Sequence, residues 1–145
     1  MMFSLSEKSK ERLATCHQDI QLICNELIKI YDFSVIEGHR TLETQQQYFN
    51  EGKSKLDGIT QKSKHQESPS MAADIMPYKN DTNAFSGDEK DSRRFYMMMG
   101  MVKAIAMRLR EEGKITHGVR FGLDWDGDDT FKDQTFDDLP HFELV

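Results

Sequence analysis

Leu13, Cys16, Ile20, Ile23, Leu27 and Ile30 recur in steps of three and four, which places them on one stripe of a helix. Ser4 and Glu7 have the spacing of a capping box, so this helix is expected to begin at Ser4. The short, partly β-branched run Phe33–Glu37, stopped by Gly38, predicts a strand. Thr41 to Asn50 reads as a second helix, with Leu42, Gln45, Tyr48 and Phe49 at helical spacing. Residues 51–70 are polar, with Gly52, Gly58 and Pro69, and predict a long loop of the kind that is uncommon unless functional or disordered. Met71–Met76 predicts a strand ended by Pro77. A third helix is expected from Asp91 to Arg110, with Phe95, Met98, Met99, Val102, Ile105 and Leu109 on one face. The methionines at 97, 98, 99 and 101 are read as core packing rather than as an adaptable binding surface. Val119–Phe121 and Pro140–Val145 are strand candidates joined by an acidic loop from Leu123 to Asp138. Strands scattered among helices without a βαβ rhythm predict an α+β fold.

At 145 residues the chain has room for one core, so a single domain spanning 1–145 is expected. The net charge of −6 is the wrong sign for a protein that grips phosphate backbones, which argues against nucleic-acid partners. No apolar run approaches the ~20 residues of a membrane span, and the N-terminus carries no apolar signal core; cytoplasmic synthesis and retention follow as expectations. Cys16 and Cys24, placed on one helix, would lie roughly 12 Å apart, too far for a disulfide, and are expected to be buried thiols.

Five histidines carry the candidate chemistry. His17 is read as a solvated side chain, and His39 and His117 as turn residues beside Gly38 and Gly118. His65 and His141 differ because of their neighbours. Asp74 stands within the apolar strand Met71-Ala72-Ala73-Asp74-Ile75, where a carboxylate is expensive unless paired or bound to a cation. In Asp138-Leu139-Pro140-His141-Phe142-Glu143-Leu144, strand alternation points Phe142 and Leu144 one way and His141 and Glu143 the other. His65, Asp74 and His141 make an N/O ligand set that suits Zn²⁺ with a fourth position left to water, and Asp138 could act as base on that water. Spacing alone does not single this set out, since scattered His…Asp…His sets arise by chance.

Four stretches in order carry a resemblance. Ser63-Lys64-His65…Ala72-Ala73-Asp74 resembles the Ser-x-His…Ala-x-Asp motif of the D-alanyl-D-alanine carboxypeptidase and L-alanyl-D-glutamate peptidase group of zinc peptidases, with Ser68-Pro69-Ser70 filling a longer gap than the commonest form has. Asp138-x-x-His141 resembles the group's second motif, and Gly38-His39-Arg40-Thr41 its arginine turn. Arg120-Phe121-Gly122-Leu123-Asp124-Trp125-Asp126 is similar to a stretch between the two motifs in phage endolysins. The resemblance implies a small antiparallel sheet with flanking helices, the zinc DD-peptidase (Hedgehog-like) fold. It implies that His65, Asp74 and His141 hold one catalytic Zn²⁺, that Asp138 is the base, and that Arg40 stabilises the developing oxyanion. The expected substrate is the stem peptide of bacterial peptidoglycan, cut between L-Ala and D-Glu by an endolysin of the metalloprotease type. The enzyme would be monomeric and held in the host bacterial cytoplasm until the membrane is permeabilised.

Two further features bear on partners. Lys53, Lys55, Lys62 and Lys64 make the long loop locally basic, either as a solvated loop or to attract stem-peptide carboxylates. Asp124-Trp125-Asp126-Gly127-Asp128-Asp129 alternates oxygen ligands, which invites a regulatory Ca²⁺. It lacks the glycine and distal Glu of an EF-hand loop, where Asp129 and Thr135 stand, so a solvated acidic turn is the other reading. The alternative functions are a D-Ala-D-Ala carboxypeptidase or dipeptidase, and a non-catalytic wall-binding module that uses zinc only to hold its fold.

Overall fold

The stripe that opens the chain does not form one helix. In the computed structural model, which describes residues 2–78, 89–132 and 138–145, α1 (Glu7–Leu13) and α2 (Gln18–Leu27) are separated at residues 14–17. Helical periodicity loses here to long-range pairing. His17 N–H donates to Ser70 O at 2.9 Å and Ser70 N–H to Thr15 O at 2.9 Å, which pulls the backbone out of helical register. His17 then restarts the helix as its N-cap, with Nδ1 accepting from Asp19 N–H. Three expectations are corrected. The cap of α1 is Ser6 rather than Ser4, Ile30 is 58% exposed rather than on the core stripe, and His17 is a half-buried capping residue rather than a solvated one. The two cysteines are buried and free as expected, although Cys16 lies in the break and not on Cys24's helix.

The other elements follow the predicted pattern closely. They are β1 (Phe33–Glu37), α3 (Leu42–Asn50), β2 (Ala72–Pro77), α4 (Glu89–Glu111), β3 (Val119–Phe121) and β4 (His141–Leu144). The expected long loop carries one 3₁₀ turn, Lys64–Gln66, closed by a capping box between Ser63 and Gln66. Part of the expected acidic loop, residues 133–137, lies outside the described residues.

Among the described residues the strands form an antiparallel sheet in the order β1-β2-β4-β3. Its two faces divide the protein's work. Val35, Ala73, Ile75, Phe142 and Leu144 point into the core, where the buried stripe of α4 (Phe95, Met98, Met99, Val102, Ile105, Leu109) and α2's Ile20, Ile23 and Leu27 meet them. Truncating a residue such as Phe142, fully buried here, costs about 3–5 kcal/mol in a core of this kind. Met98 and Met99 are core as expected, while Met97 is exposed. The opposite face is polar because pairing register puts directly opposed residues on the same side: Asp74 opposes His141, Glu37 opposes Asp74 across a bulge after Val35, and Arg120 opposes Glu143. Buried carboxylates and imidazoles therefore line up on one side of the sheet.

Candidate metal centre and cleft

His65 reaches this polar face from the 3₁₀ turn, and Asp74 and His141 come from paired positions on β2 and β4. His65 Nε2, His141 Nδ1 and Asp74 Oδ1 form a triangle with all three sides at 3.2 Å. Both rings are held from behind. His65 Nδ1 is 2.7 Å from the Gly38 carbonyl, and His141 Nε2 is 2.8 Å from Glu143 Oε1. A carbonyl and a carboxylate can only accept, so those outer nitrogens carry the hydrogens. In neutral rings the nitrogens facing inward are then both lone pairs, aimed at each other and at a carboxylate oxygen. Three electron-pair donors without a proton among them call for a cation.

The dimensions fit one. A tetrahedral zinc ion with bonds of about 2.0–2.1 Å sets its ligand atoms roughly 3.3 Å apart. The electrostatics agree. Burial penalises charge on Asp74, yet His65 and His141 outweigh it and hold the carboxyl well below its usual range. Burial likewise disfavours an imidazolium at His141, but the bonds to Asp74 and Glu143 push it up to about 9, so a proton takes the cation's place when none is bound.

Asp138 stands beside the triangle, its Oδ2 3.9 Å from His141 Nδ1 and its side chain one-third exposed. Burial, and then the charge of Asp74, raise its carboxyl to about 6. Its position depends on a close approach that only glycine permits. Asp138 N–H donates to Gly122 O at 3.0 Å, and a Cβ on Gly122 would overlap the Asp138 backbone.

Arg40 is 9% exposed and clamped. Its Nε and Nη2 donate to Glu37 Oε1, Nη1 donates to Gln45 Oε1 at 2.7 Å, and its guanidinium lies 4.7 Å from the Tyr48 ring centre. Nη2 is also 3.7 Å from Asp74 Oδ2, and Arg40 N–H donates to His65 O at 2.8 Å. Gln45 anchors this clamp to the loop through Ser54 Oγ and Leu56 O, which explains a fully buried glutamine on α3. The helix's inward face is thus polar, while Leu42 and Phe49 are exposed.

A cleft of about 800 Å³ opens over the triangle, and the four loop lysines and Trp125 line it together with Asp138 and Arg40. Every site residue expected from sequence, Arg40, His65, Asp74, Asp138 and His141, therefore reaches one cavity. Sequence reading missed Glu37, Gln45 and Glu143 as supports. Glu143 had a usable signal: it lies two residues after His141 on the same face of one strand.

Two other groups of metal-ligand residues occur among the described residues: His17 with Asp19 and His117, and Asp124 with Asp126 and Asp128. His117, expected only as a turn residue, bonds Asp19 through Nδ1 at 2.7 Å. In the acidic turn Asp124 is 7% exposed, with Oδ2 accepting from Asp129 N–H and Oδ1 buried without a hydrogen-bond partner among the described residues.

Comparison with known proteins is consistent along the whole chain. The model of the family described as phage L-alanyl-D-glutamate peptidase matches residues 1–145. The L-alanyl-D-glutamate peptidase of Escherichia phage T5 is 29% identical over 152 residues, covering all of both chains. The crystal structure of the Serratia marcescens L-Ala D-Glu endopeptidase ChiX shares the fold at a TM-score of 0.66 and 22% identity, over 98% of this chain and 90% of that one. The expected α+β class with a small antiparallel sheet and flanking helices is thus what is found.

Proposed function

This chain belongs to the phage L-alanyl-D-glutamate peptidase family, and from that premise we propose that it is a zinc endopeptidase that cuts peptidoglycan stem peptides between L-Ala and D-Glu. The observation that carries the reading is the 3.2 Å triangle of inward-facing donors, with both imidazoles fixed from behind. His65, Asp74 and His141 would hold Zn²⁺, which when bound lowers the pKa of a water and polarises a carbonyl. Asp138 takes the proton of the attacking water, a role that suits a carboxyl near 6 standing next to the ligands without being one of them. Arg40 sets a fixed positive charge where the carbonyl oxygen turns anionic, and its clamp by Glu37 and Gln45 keeps that charge in place. The lysines of the cleft rim attract the carboxylates of the stem peptide.

Around this centre the whole chain acts as one catalytic domain and as a monomer. It is made in the host cytoplasm and reaches the wall after the membrane is opened. A second cation belongs to this reading. The unpartnered, buried Asp124 Oδ1 points to Ca²⁺ held with Asp126 and Asp128, which a calorimetric Ca²⁺ titration lost in Asp128→Asn would support.

The deciding experiment measures zinc content, activity and products of Asp138→Ala together. The expected result is zinc retained and cleavage lowered by about 10²–10⁴-fold. The native enzyme should yield fragments ending in L-Ala and beginning with D-Glu by mass. Release of free D-Ala instead would make it a carboxypeptidase or dipeptidase. Unchanged cleavage in the variant would remove Asp138 from the mechanism. Because the base works deprotonated, activity falls as pH drops through about 6, and a bound cation shifts that limb only downward.

A further inference from the structure

A second histidine–aspartate–histidine group lies away from the cleft, at the start of α2. Asp19 is 6% exposed, and its Oδ2 accepts from Thr116 N–H at 3.1 Å and from His117 N–H at 3.3 Å. The same oxygen lies 2.7 Å from His117 Nδ1. Its other oxygen, Oδ1, lies 3.9 Å from His17 Nδ1, beyond hydrogen-bond distance; that nitrogen accepts from Asp19 N–H at 3.0 Å. The two imidazoles meet edge to face, with centroids 4.9 Å apart at 79°. One donor atom from each residue can be chosen so that all three lie within 4.8 Å of one another.

We propose that His17, Asp19 and His117 bind a second divalent transition-metal ion of the zinc class, as a structural clamp separate from the cleft. Two imidazoles and one carboxylate are a borderline N/O set that suits Zn²⁺ and disfavours Ca²⁺ or Mg²⁺, which want oxygen. Both rings keep somewhat more than a quarter of their side-chain surface exposed, so the ion and its remaining waters have access. The anion is already in place. Burial works against it, but the His117 ring and the Thr116 and His117 amides hold the Asp19 carboxyl below its ordinary range.

The clamp has something to hold. Its ligands come from the first turn of α2 and from the segment before β3, nearly a hundred residues later, so one ion closes a very long loop. The α1–α2 break next to His17 is also what supports the cleft from behind. Thr15 Oγ1 accepts from His39 N–H at 2.8 Å, Thr15 and His17 pair with Ser70, and Gly38 packs against Thr15 and Cys16. Gly38 in turn supplies the carbonyl that fixes His65. An ion at His17 therefore stiffens the layer on which the catalytic ligand rests, without touching substrate.

The test is zinc stoichiometry of the full chain, dialysed against buffered micromolar free Zn²⁺ with millimolar Ca²⁺ present to fill the oxygen-only turn. The native chain should hold two zinc ions. His17→Ser, which keeps a capping oxygen, and His117→Asn should each hold one, and both should lose the rise in Tm between one and two equivalents of zinc. His141→Ala should also hold one, the ion lost being that of the cleft, so the two sites fail separately. Circular dichroism confirms that each variant is folded. A native chain that saturates at one zinc, or His17→Ser and His117→Asn variants that still hold two, would overturn the proposal.

Discussion

The two histidine–aspartate–histidine groups use the same side chains and differ in what stands behind the rings. At His65 and His141 the outer nitrogens are taken by the Gly38 carbonyl and Glu143, the residues are 1% and 6% exposed, and in the neutral rings only acceptors face inward. At His17 and His117 the rings are partly solvated, and one Asp19 oxygen already receives backbone donors. The ligand inventory is therefore a poor guide to how strongly a site demands its metal. The demand comes from outer partners that fix tautomers, so that in the neutral rings the inward nitrogens present lone pairs. On the proposed reading the first group needs a cation for chemistry, and the second is stabilised by one.

The largest effect separates the two groups. His65→Ala, or removal of zinc by a chelator, should lower kcat/KM by about 10³-fold or more, whereas His117→Asn should leave turnover near the native value. Equal losses from both substitutions would erase the distinction. Glu143→Gln sharpens it at an intermediate size. The substitution keeps an acceptor for His141 Nε2–H but removes the charge, and zinc affinity should weaken about 10- to 100-fold, read by competition with a chromophoric chelator. An unchanged affinity would mean that the partner behind the ring does not tune the ligand.

The smallest effect is on stability and belongs to the second group. Asp19→Asn should cost about 1–3 kcal/mol at neutral pH through its buried bonds to Thr116 and His117. Asp19 titrates below its ordinary value of 3.8 in the folded chain. Its stabilisation is thus complete above that value and is lost as pH falls through the lower, folded one. The Tm gap between native and Asp19→Asn should accordingly close as the pH drops below about 4, measured by thermal unfolding in chelator. A gap that stays constant to pH 2 would show that the charge of Asp19 is not what stabilises.

These differences also explain what could be read from the chain alone. The α4 stripe and the strand pattern were legible because each buries one face of a regular element, and burial writes itself as periodicity. The three residues of the buried triangle were legible through motif order, and Asp74 additionally through the oddity of a carboxylate in an apolar strand. The α1–α2 break was not, because the pairing of Thr15 and His17 with Ser70 depends on residues more than fifty positions away. The His17–Asp19–His117 group was hidden for the same reason. Each histidine alone looks like a surface or turn residue, and only the fold brings position 117 to position 19. Arg40's clamp was half legible: the arginine announced itself, while the buried Gln45 that holds it sat on a helix face with no charge or apolar signal.

One crystallographic measurement bears on the proposed zinc centre most directly: an anomalous difference map, collected at the zinc edge on crystals grown with one equivalent of the metal. The predicted result is a peak within about 2.0–2.2 Å of His65 Nε2, Asp74 Oδ1 and His141 Nδ1, with a water as the fourth ligand and Asp138 off the ion. A map with no peak there, or one in which a fourth side chain closes the coordination shell, would contradict it.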